Sequence, residues 1–270
     1  MKICIAGNHD IAVNSLNYFI SRNFYHKDEI GVICNMGDIG INSWQLSLKK
    51  YAYENQIKIV TLEEVYPLED LIFFSLHYDR IIKPSRFKTK KLFNLHFAPL
   101  PKYKGNYTSI IPILNGERET GVTIHYIDEG IDTGDIIMQK FFPIEINETA
   151  KDLYIKYNQF GLDLLSDFFP KLLSESLKSI PQSSIDSTYY SRKSIDFTNY
   201  SIDFKKTSFE IHNQIRAFIF KEYQLPIING FRIIKSIITD EKIKRNCFEE
   251  LNDCFIISGI DCYRLIAYKQ

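Results

Sequence analysis

The chain has no charge of one sign to spare, since 33 Lys and Arg face 33 Asp and Glu. Proteins that neutralise many phosphates carry a basic excess or patch, so no nucleic-acid partner is expected. The Lys-Lys pairs at 49–50, 90–91 and 205–206 read as solvated faces. Long hydrophobic runs are missing too. None approaches the roughly 18 residues of a membrane span, so no membrane partner is expected. The opening Met-Lys-Ile-Cys-Ile-Ala is broken by Gly7 too soon for a secretory signal. Cysteine is scarce and unpatterned: Cys4, Cys34, Cys247, Cys254 and Cys262 are odd in number and form no C-x-x-C. That speaks against a disulfide framework and for buried free thiols in a reducing, cytoplasmic compartment. No Cys/His cluster has metal-ligand spacing, so no metal is expected. There is no G-x-G-x-x-G after the first strand-like run, only Gly7-Asn8-His9-Asp10, and no P-loop.

What remains is an ordinary globular mix, 45% hydrophobic and 24% charged over 270 residues. That length suits one large domain, or a large one with a small one. Aromatics are plentiful, with 17 Tyr and 20 Phe against one Trp. Composition does not separate core packing from stacking on a flat ligand. Apolar runs at Ile3–Ala6, Ile30–Cys34, Ile57–Val60, Leu71–Leu76 and Leu92–Leu95 alternate with helical periodicity over 11–22 and 42–53. Such continuous runs are strands buried on both faces, hence a Rossmann-like, mostly parallel sheet with flanking helices. Thr120–Tyr126 and Ile136–Phe142 are further strands around an acidic, Gly-containing turn. A long helix is expected over 148–175, ended or kinked by Pro170. Residues 176–205 read as an irregular connection, 206–219 as a helix, and 231–239, 253–257 and 261–268 as a small β-rich C-terminal unit. The fold class is therefore α/β, divided at 1–205 and 206–270.

Ligands of such sheets bind beyond the carboxyl ends of the strands. There the period-2 rule puts Asn94 and His96 on one face of the fifth strand. An amide N–H can donate to a developing oxyanion, and a neutral imidazole can take a proton from an attacking amine. Asp132, in a loop flanked by Gly130 and Gly134, could orient that imidazole. On spacing alone Asp128, Glu129 and Asp135 compete for the role.

Phe93 to Asp135 closely resembles the formyltransferases that use 10-formyltetrahydrofolate. Their signature is Asn-x-His, then Leu-Pro-x-Tyr-x-Gly, then Thr-Gly-Val-Thr-x-His-x-x-Asp-x-Gly-x-Asp-x-Gly. Here these are Asn94 and His96, Leu100 to Gly105, and Thr120 to Gly134. The resemblance selects Asp132 as the third catalytic residue beside Asn94 and His96, and leaves His125 structural. One departure is His96-Phe97-Ala98-Pro99-Leu100-Pro101, where the family often has His-Pro-Ser-Leu-Leu-Pro. The resemblance implies a folate co-substrate held largely by backbone near Tyr78, Arg80, Ile81, Ile82, Asp128 and Gly130.

Among acceptors, a methionyl-tRNA formyltransferase needs a basic surface and a sizeable C-terminal RNA-binding domain. The Gly-Ser-Asn phosphate loop of glycinamide ribonucleotide formyltransferases is absent. Two segments, Phe97–Ser109 and Glu210–Pro226, resemble the sugar N-formyltransferases that act on nucleotide-linked amino sugars. The resemblance implies a dTDP-linked 3- or 4-amino-dideoxysugar, contacted from Lys102, Tyr103, Asn106 and Tyr107. Arg216 would clamp pyrophosphate, while Phe220 and Tyr223 would stack on the base. It also implies a role in bacterial surface polysaccharide (O-antigen) synthesis. Exposed strand edges in the C-terminal unit make a homodimer an expectation. The alternatives are the tRNA enzyme and a non-catalytic sensor of folate or nucleotide sugar.

Overall fold

Apolar runs without polar alternation build the strands of the first unit. Five of them, β1 (Ile3–Gly7), β2 (Ile30–Cys34), β3 (Lys58–Ile59), β4 (Ile72–Leu76) and β5 (Leu92–His96), lie parallel. After the short β6 (Lys104–Gly105), β7 (Glu119–Tyr126) runs antiparallel to β5, and β8 (Ile136–Pro143) forms the edge. The order is β3-β2-β1-β4-β5-β7-β8. Every residue of β1 and β4 is buried, as expected of strands covered on both faces. Strand order reverses direction between β1 and β4, and in open α/β sheets ligands bind outside the carboxyl ends of the strands at such a switch point.

The helices are α1 (His9–Ser21), α2 (Leu48–Glu54), α3 (Leu62–Val65), α4 (Ile111–Leu114), α5 (Ala150–Leu173) and α6 (Ser208–Arg216). Much of the aromatic excess is core. Phe19 of α1, Phe74 of β4 and Phe169 of α5 are fully buried and pack ring to ring, with Phe19 and Phe169 centroids 4.3 Å apart. Phe93 and Phe168 extend the cluster.

One helix expectation is corrected, and another is narrowed. The helix expected over 42–53 begins only at Leu48. Ser47 is its N-cap, accepting from the Lys50 N–H at 3.0 Å, and Asp38 accepts from the Ser47 hydroxyl and the Lys49 N–H. These bonds hold the chain before Leu48 outside the helix. Pro170 does not end α5, which continues to Leu173. Proline lacks the N–H that would reach the carbonyl four residues back. That carbonyl, of Ser166, instead accepts from the Tyr18 hydroxyl at 3.4 Å.

The structure, a computed structural model, describes residues 1–270. The first unit comprises 1–104, 121–141 and 157–188, and the second 105–120, 142–156 and 189–270. Besides the short β9 (Tyr189–Tyr190), the second unit holds an antiparallel sheet of order β10-β11-β14-β13-β12. Its strands are β10 (Ile227–Ile228), β11 (Phe231–Lys242), β12 (Phe248–Glu250), β13 (Cys254–Ile257) and β14 (Tyr263–Lys269). Asn229 and Gly230, both with positive φ, turn β10 into β11 as a tight hairpin requires. A Thr207–Glu210 capping box starts α6, which buries Ile211 and Ile215 against Ile233, Phe255 and Leu265. The α/β class with a mostly parallel sheet and a β-rich C-terminal part is thus as the sequence led us to expect.

Replacing Phe169 by Ala would leave a cavity among Phe19, Phe24 and Phe74. We expect a loss of about 3–5 kcal/mol of stability in urea unfolding. A loss below about 1 kcal/mol would contradict this packing account.

Candidate active site

Asn94 and His96 leave β5 on the same face, and the register sets Asn94 opposite His125 and His96 opposite Thr123 on β7. Asp132 comes from the loop between β7 and β8. Its carboxylate accepts from Asn94 Nδ2 at 3.2 Å through Oδ1 and stands 3.5 Å from His96 Nδ1 through Oδ2. Oδ1 is also 3.5 Å from His125 Nε2. The side chains of His96, His125 and Asp132 are only 8%, 3% and 12% exposed. His96 Nε2 lies 2.8 Å from the Tyr103 carbonyl. A carbonyl only accepts, so Nε2 carries a hydrogen. The neutral ring then turns a bare Nδ1 toward the carboxylate, a facing pair of acceptors that one proton satisfies. The arrangement can therefore take up a proton beside an amide donor.

The loop is built to present Asp132 and no other acid. Asp128 is spent on the turn itself, accepting from the Gly130 N–H at 3.1 Å and the Thr133 hydroxyl at 2.7 Å. Glu129 accepts from the Ser85 N–H, and Asp135 from the Ser179 hydroxyl. Asp132 sits at φ 55°, a left-handed conformation that Asp tolerates better than most residues. Gln182 holds it there, its amide donating to the carbonyls of Asp132 at 2.9 Å and Gly134 at 2.7 Å. At Gly134 a Cβ would lie 1.9 Å from the Tyr126 carbonyl oxygen, so only glycine lets the loop close on β7. Sequence reasoning missed Gln182 altogether and set His125 aside as structural. The register opposite Asn94 is the signal that points to His125.

The other expected residues are scattered. Tyr78 packs on the apolar cluster that contains buried Ile82, while Arg80 and Ile81 are exposed. Asp128 and Gly130 are exposed in the loop described above. Lys102 is exposed, whereas Tyr103 is buried with φ 61°. In the second unit Asn106 donates to the Tyr190 carbonyl at 3.4 Å. Tyr107, at φ 62°, donates its hydroxyl to the Arg192 carbonyl at 2.8 Å and meets Phe197 edge-on. Tyr223 is exposed and packs its ring against buried Phe220. Arg216 requires a correction. It is 1% exposed, with Nε donating to Asn213 at 2.9 Å and Nη1 to the carbonyls of Glu145 and Glu148. A guanidinium so committed ties backbone together and is not a solvent-facing clamp. Burial lowers its pKa to about 10.

A mostly parallel sheet with a half-buried amide, a buried imidazole and a half-buried carboxylate at one strand end is an arrangement suited to group-transfer chemistry. A family model described as Formyl transferase matches residues 52–168. The N-formyltransferase from Helicobacter canadensis, solved with folinic acid and dTDP-3-aminofucose, is 55% identical over 100% of both chains, with a TM-score of 0.98. WlaRD, a sugar 3N-formyl transferase solved with dTDP and 5-N-formyl-THF, is 56% identical over 100% of this chain and 97% of its own, with a TM-score of 0.97. A 4-N formyltransferase from Francisella tularensis shares the fold at 22% identity, over 82% of this chain and 89% of its own, with a TM-score of 0.64. The chain therefore belongs to the formyl transferase family, in its sugar N-formyltransferase branch. The resemblance read from Asn94-x-His96 and Thr120–Gly134 is borne out.

Near the same strand ends, His77 follows β4 and His9 opens α1, both with positive φ and with rings 6.0 Å apart. Burial pushes the His77 pKa down to about 3, and repulsion from His9 and His96 adds to it. Burial lowers that of His9 too, and in the second unit lowers His212 to about 4. An unfolded chain protonates these rings near pH 6.5. Between that pH and the depressed folded values the unfolded state binds more protons, so stability falls as pH drops from about 6.5 toward 4. Replacing His77 by Gln should make that fall shallower in urea unfolding between pH 4 and 7. An unchanged slope would contradict the assignment.

Proposed function

We propose that this chain transfers the formyl group of 10-formyltetrahydrofolate to the 3-amino group of a dTDP-linked amino sugar. The convergence of Asn94, His96 and Asp132 at the carboxyl end of β5 carries the reading. Two full-length relatives support the ligands: one is solved with dTDP-3-aminofucose and folinic acid, the other is a sugar 3N-formyl transferase solved with dTDP and 5-N-formyl-THF. In the proposed reaction the neutral amine attacks the formyl carbon, its lone pair forming the new C–N bond while the carbonyl electrons move to oxygen. Asn94 donates an amide hydrogen to that oxyanion. The amine proton passes to the His96–Asp132 pair, whose facing acceptors lack one. The intermediate collapses as the oxyanion's electrons re-form the carbonyl, the bond to the folate N10 breaks, and the His96–Asp132 pair returns the proton it took from the amine to N10 as it leaves. None of these steps asks for a metal, and no group of three or more His, Cys, Asp or Glu is arranged to hold one.

Supporting contacts follow the same reading. The backbone of Tyr78 to Ile82 and of the Asp128–Gly130 turn would meet the pterin, with Arg80 and Ile81 at its rim. In the first unit Lys102 offers an exposed cation and Tyr103 gives its carbonyl to His96. In the second unit Asn106, Tyr107 and Tyr223 are polar and aromatic groups of the kind a nucleotide engages, and Phe220 backs Tyr223. A cytoplasmic enzyme fits five free cysteines. Its formamido sugar would enter surface polysaccharide such as O-antigen, and the exposed Ile227, Phe231 and Ile234 of the C-terminal sheet support a homodimer.

The test is incubation with 10-formyltetrahydrofolate and dTDP-linked 3-amino and 4-amino dideoxysugars, with mass spectrometry of the sugar. The 3-amino compound should gain one formyl. Gain only on the 4-amino compound would move the amine position, gain only on charged initiator tRNA would overturn the acceptor class, and binding without turnover would favour the sensor. Asp132→Asn and His96→Asn should each lower kcat by about 10²-fold or more while nucleotide-sugar affinity stays close to the parent's. Full activity in either variant would contradict the roles assigned.

A further inference from the structure

His125 is buried at 2% exposure, directly opposite Asn94 across the β5–β7 pair. Its Nδ1 lies 2.7 Å from the Tyr126 carbonyl. That carbonyl only accepts, so Nδ1 holds the ring hydrogen and the neutral ring presents a bare Nε2. This nitrogen is 3.0 Å from Asn94 Nδ2, which only donates. Each assignment enforces the other. A hydrogen on Nε2 would face the amide hydrogens, and a carboxamide turned end for end would set its oxygen against both the Nε2 lone pair and Asp132. Asn94 thus has both amide hydrogens committed, one to His125 and one to Asp132 Oδ1 at 3.2 Å. An oxyanion needs one of them. Asp132 can yield its share, because its other oxygen faces His96 Nδ1 and gains a donor once that pair takes up the amine proton. The His125 ring cannot follow, because its Nδ1 is held by Tyr126 and its bare Nε2, although 3.5 Å from Asp132 Oδ1, meets there only another acceptor.

We propose that His125 is a positioning residue that anchors one Asn94 amide hydrogen through Nε2, so that the other passes from Asp132 to the oxygen of the tetrahedral intermediate. This rests on the formyl-transfer reading above. The anchor acts on the reaction through Asn94 and touches neither substrate. Its removal should therefore lower kcat and leave both KM values nearly unmoved.

The experiment compares the full chain with His125→Met and His125→Gln, using 10-formyltetrahydrofolate and the dTDP-linked 3-amino sugar. Met fills the space but offers only a weak acceptor, and kcat should fall on the order of 10²-fold with both KM values within about twofold of the parent's. Gln can turn its amide oxygen to Asn94 and should restore most of kcat. Parent-like kcat in the Met variant would overturn the proposal, as would equal loss in both variants with equal lowering of Tm, the mark of a merely structural ring. In the unsubstituted chain, ¹⁵N spectra of the imidazoles should show the ring that vanishes in His125→Gln protonated at Nδ1. Protonation at Nε2 would overturn the orientation argument. If the chain formylated no amino sugar, the reaction reading would fail, and the same spectrum would still decide how His125 holds Asn94.

Discussion

One carboxylate, that of Asp132, gives the polar groups around it their places. It accepts from the Asn94 amide with one oxygen and faces His96 with the other, in a setting that is almost dry. Burying such a charge is costly unless it is hydrogen-bonded, and its neighbours supply the bonds. The rest of the first unit can be understood as the means of bringing that group to the end of β5 and holding it there. The sheet supplies Asn94 and His96 on one face, the antiparallel β7 supplies His125, and a turn closed by Asp128 and Gly134 delivers Asp132 in a left-handed conformation. The Gln182 amide then ties down the two carbonyls that would otherwise let the turn relax.

Rigidity matters here because the chemistry consists of placing hydrogens. The Tyr103 and Tyr126 carbonyls each hold one nitrogen of a histidine ring, and they hold different ones. His96 is therefore left with Nδ1 open and His125 with Nε2 open. Two rings of the same kind, diagonal to each other across the β5–β7 pair, are given opposite tautomers by their backbone partners. One ring can then share a proton with Asp132 while the other accepts from Asn94. Donors and acceptors prearranged in this way do not have to reorganise as charge develops.

Much of this was legible in the sequence, and the failures have physical causes. Strands β1, β2 and β4 stood out because strands buried on both faces show as unbroken apolar runs. Asn94 and His96 stood out because alternate strand residues share a face. Asp132 did not stand out from Asp128, Glu129 and Asp135 on composition. The family signature singled it out, and the geometry gives the reason: its acidic neighbours are bonded elsewhere in the loop. Gln182 was hidden because its partner lies 50 residues earlier and its own segment lacks regular structure. Arg216 was misjudged for a similar reason. The resemblance to sugar N-formyltransferases implied a pyrophosphate clamp, but the carbonyls that occupy the guanidinium come from residues 145 and 148, which local pattern cannot reveal. The late start of α2 follows from side-chain bonds of Asp38 and Ser47, again a matter of contacts and not of periodicity.

The account stands on Asn94, His96 and Asp132 acting as one device. A double-mutant cycle on kcat, with Asn94→Ala, Asp132→Asn and the pair combined, measures this most directly. If the carboxylate works by placing the amide, the double variant should be little worse than the poorer single variant, as is usual for residues that act as a unit. Losses that simply multiply would mean that the two side chains act independently, and the central claim would be wrong.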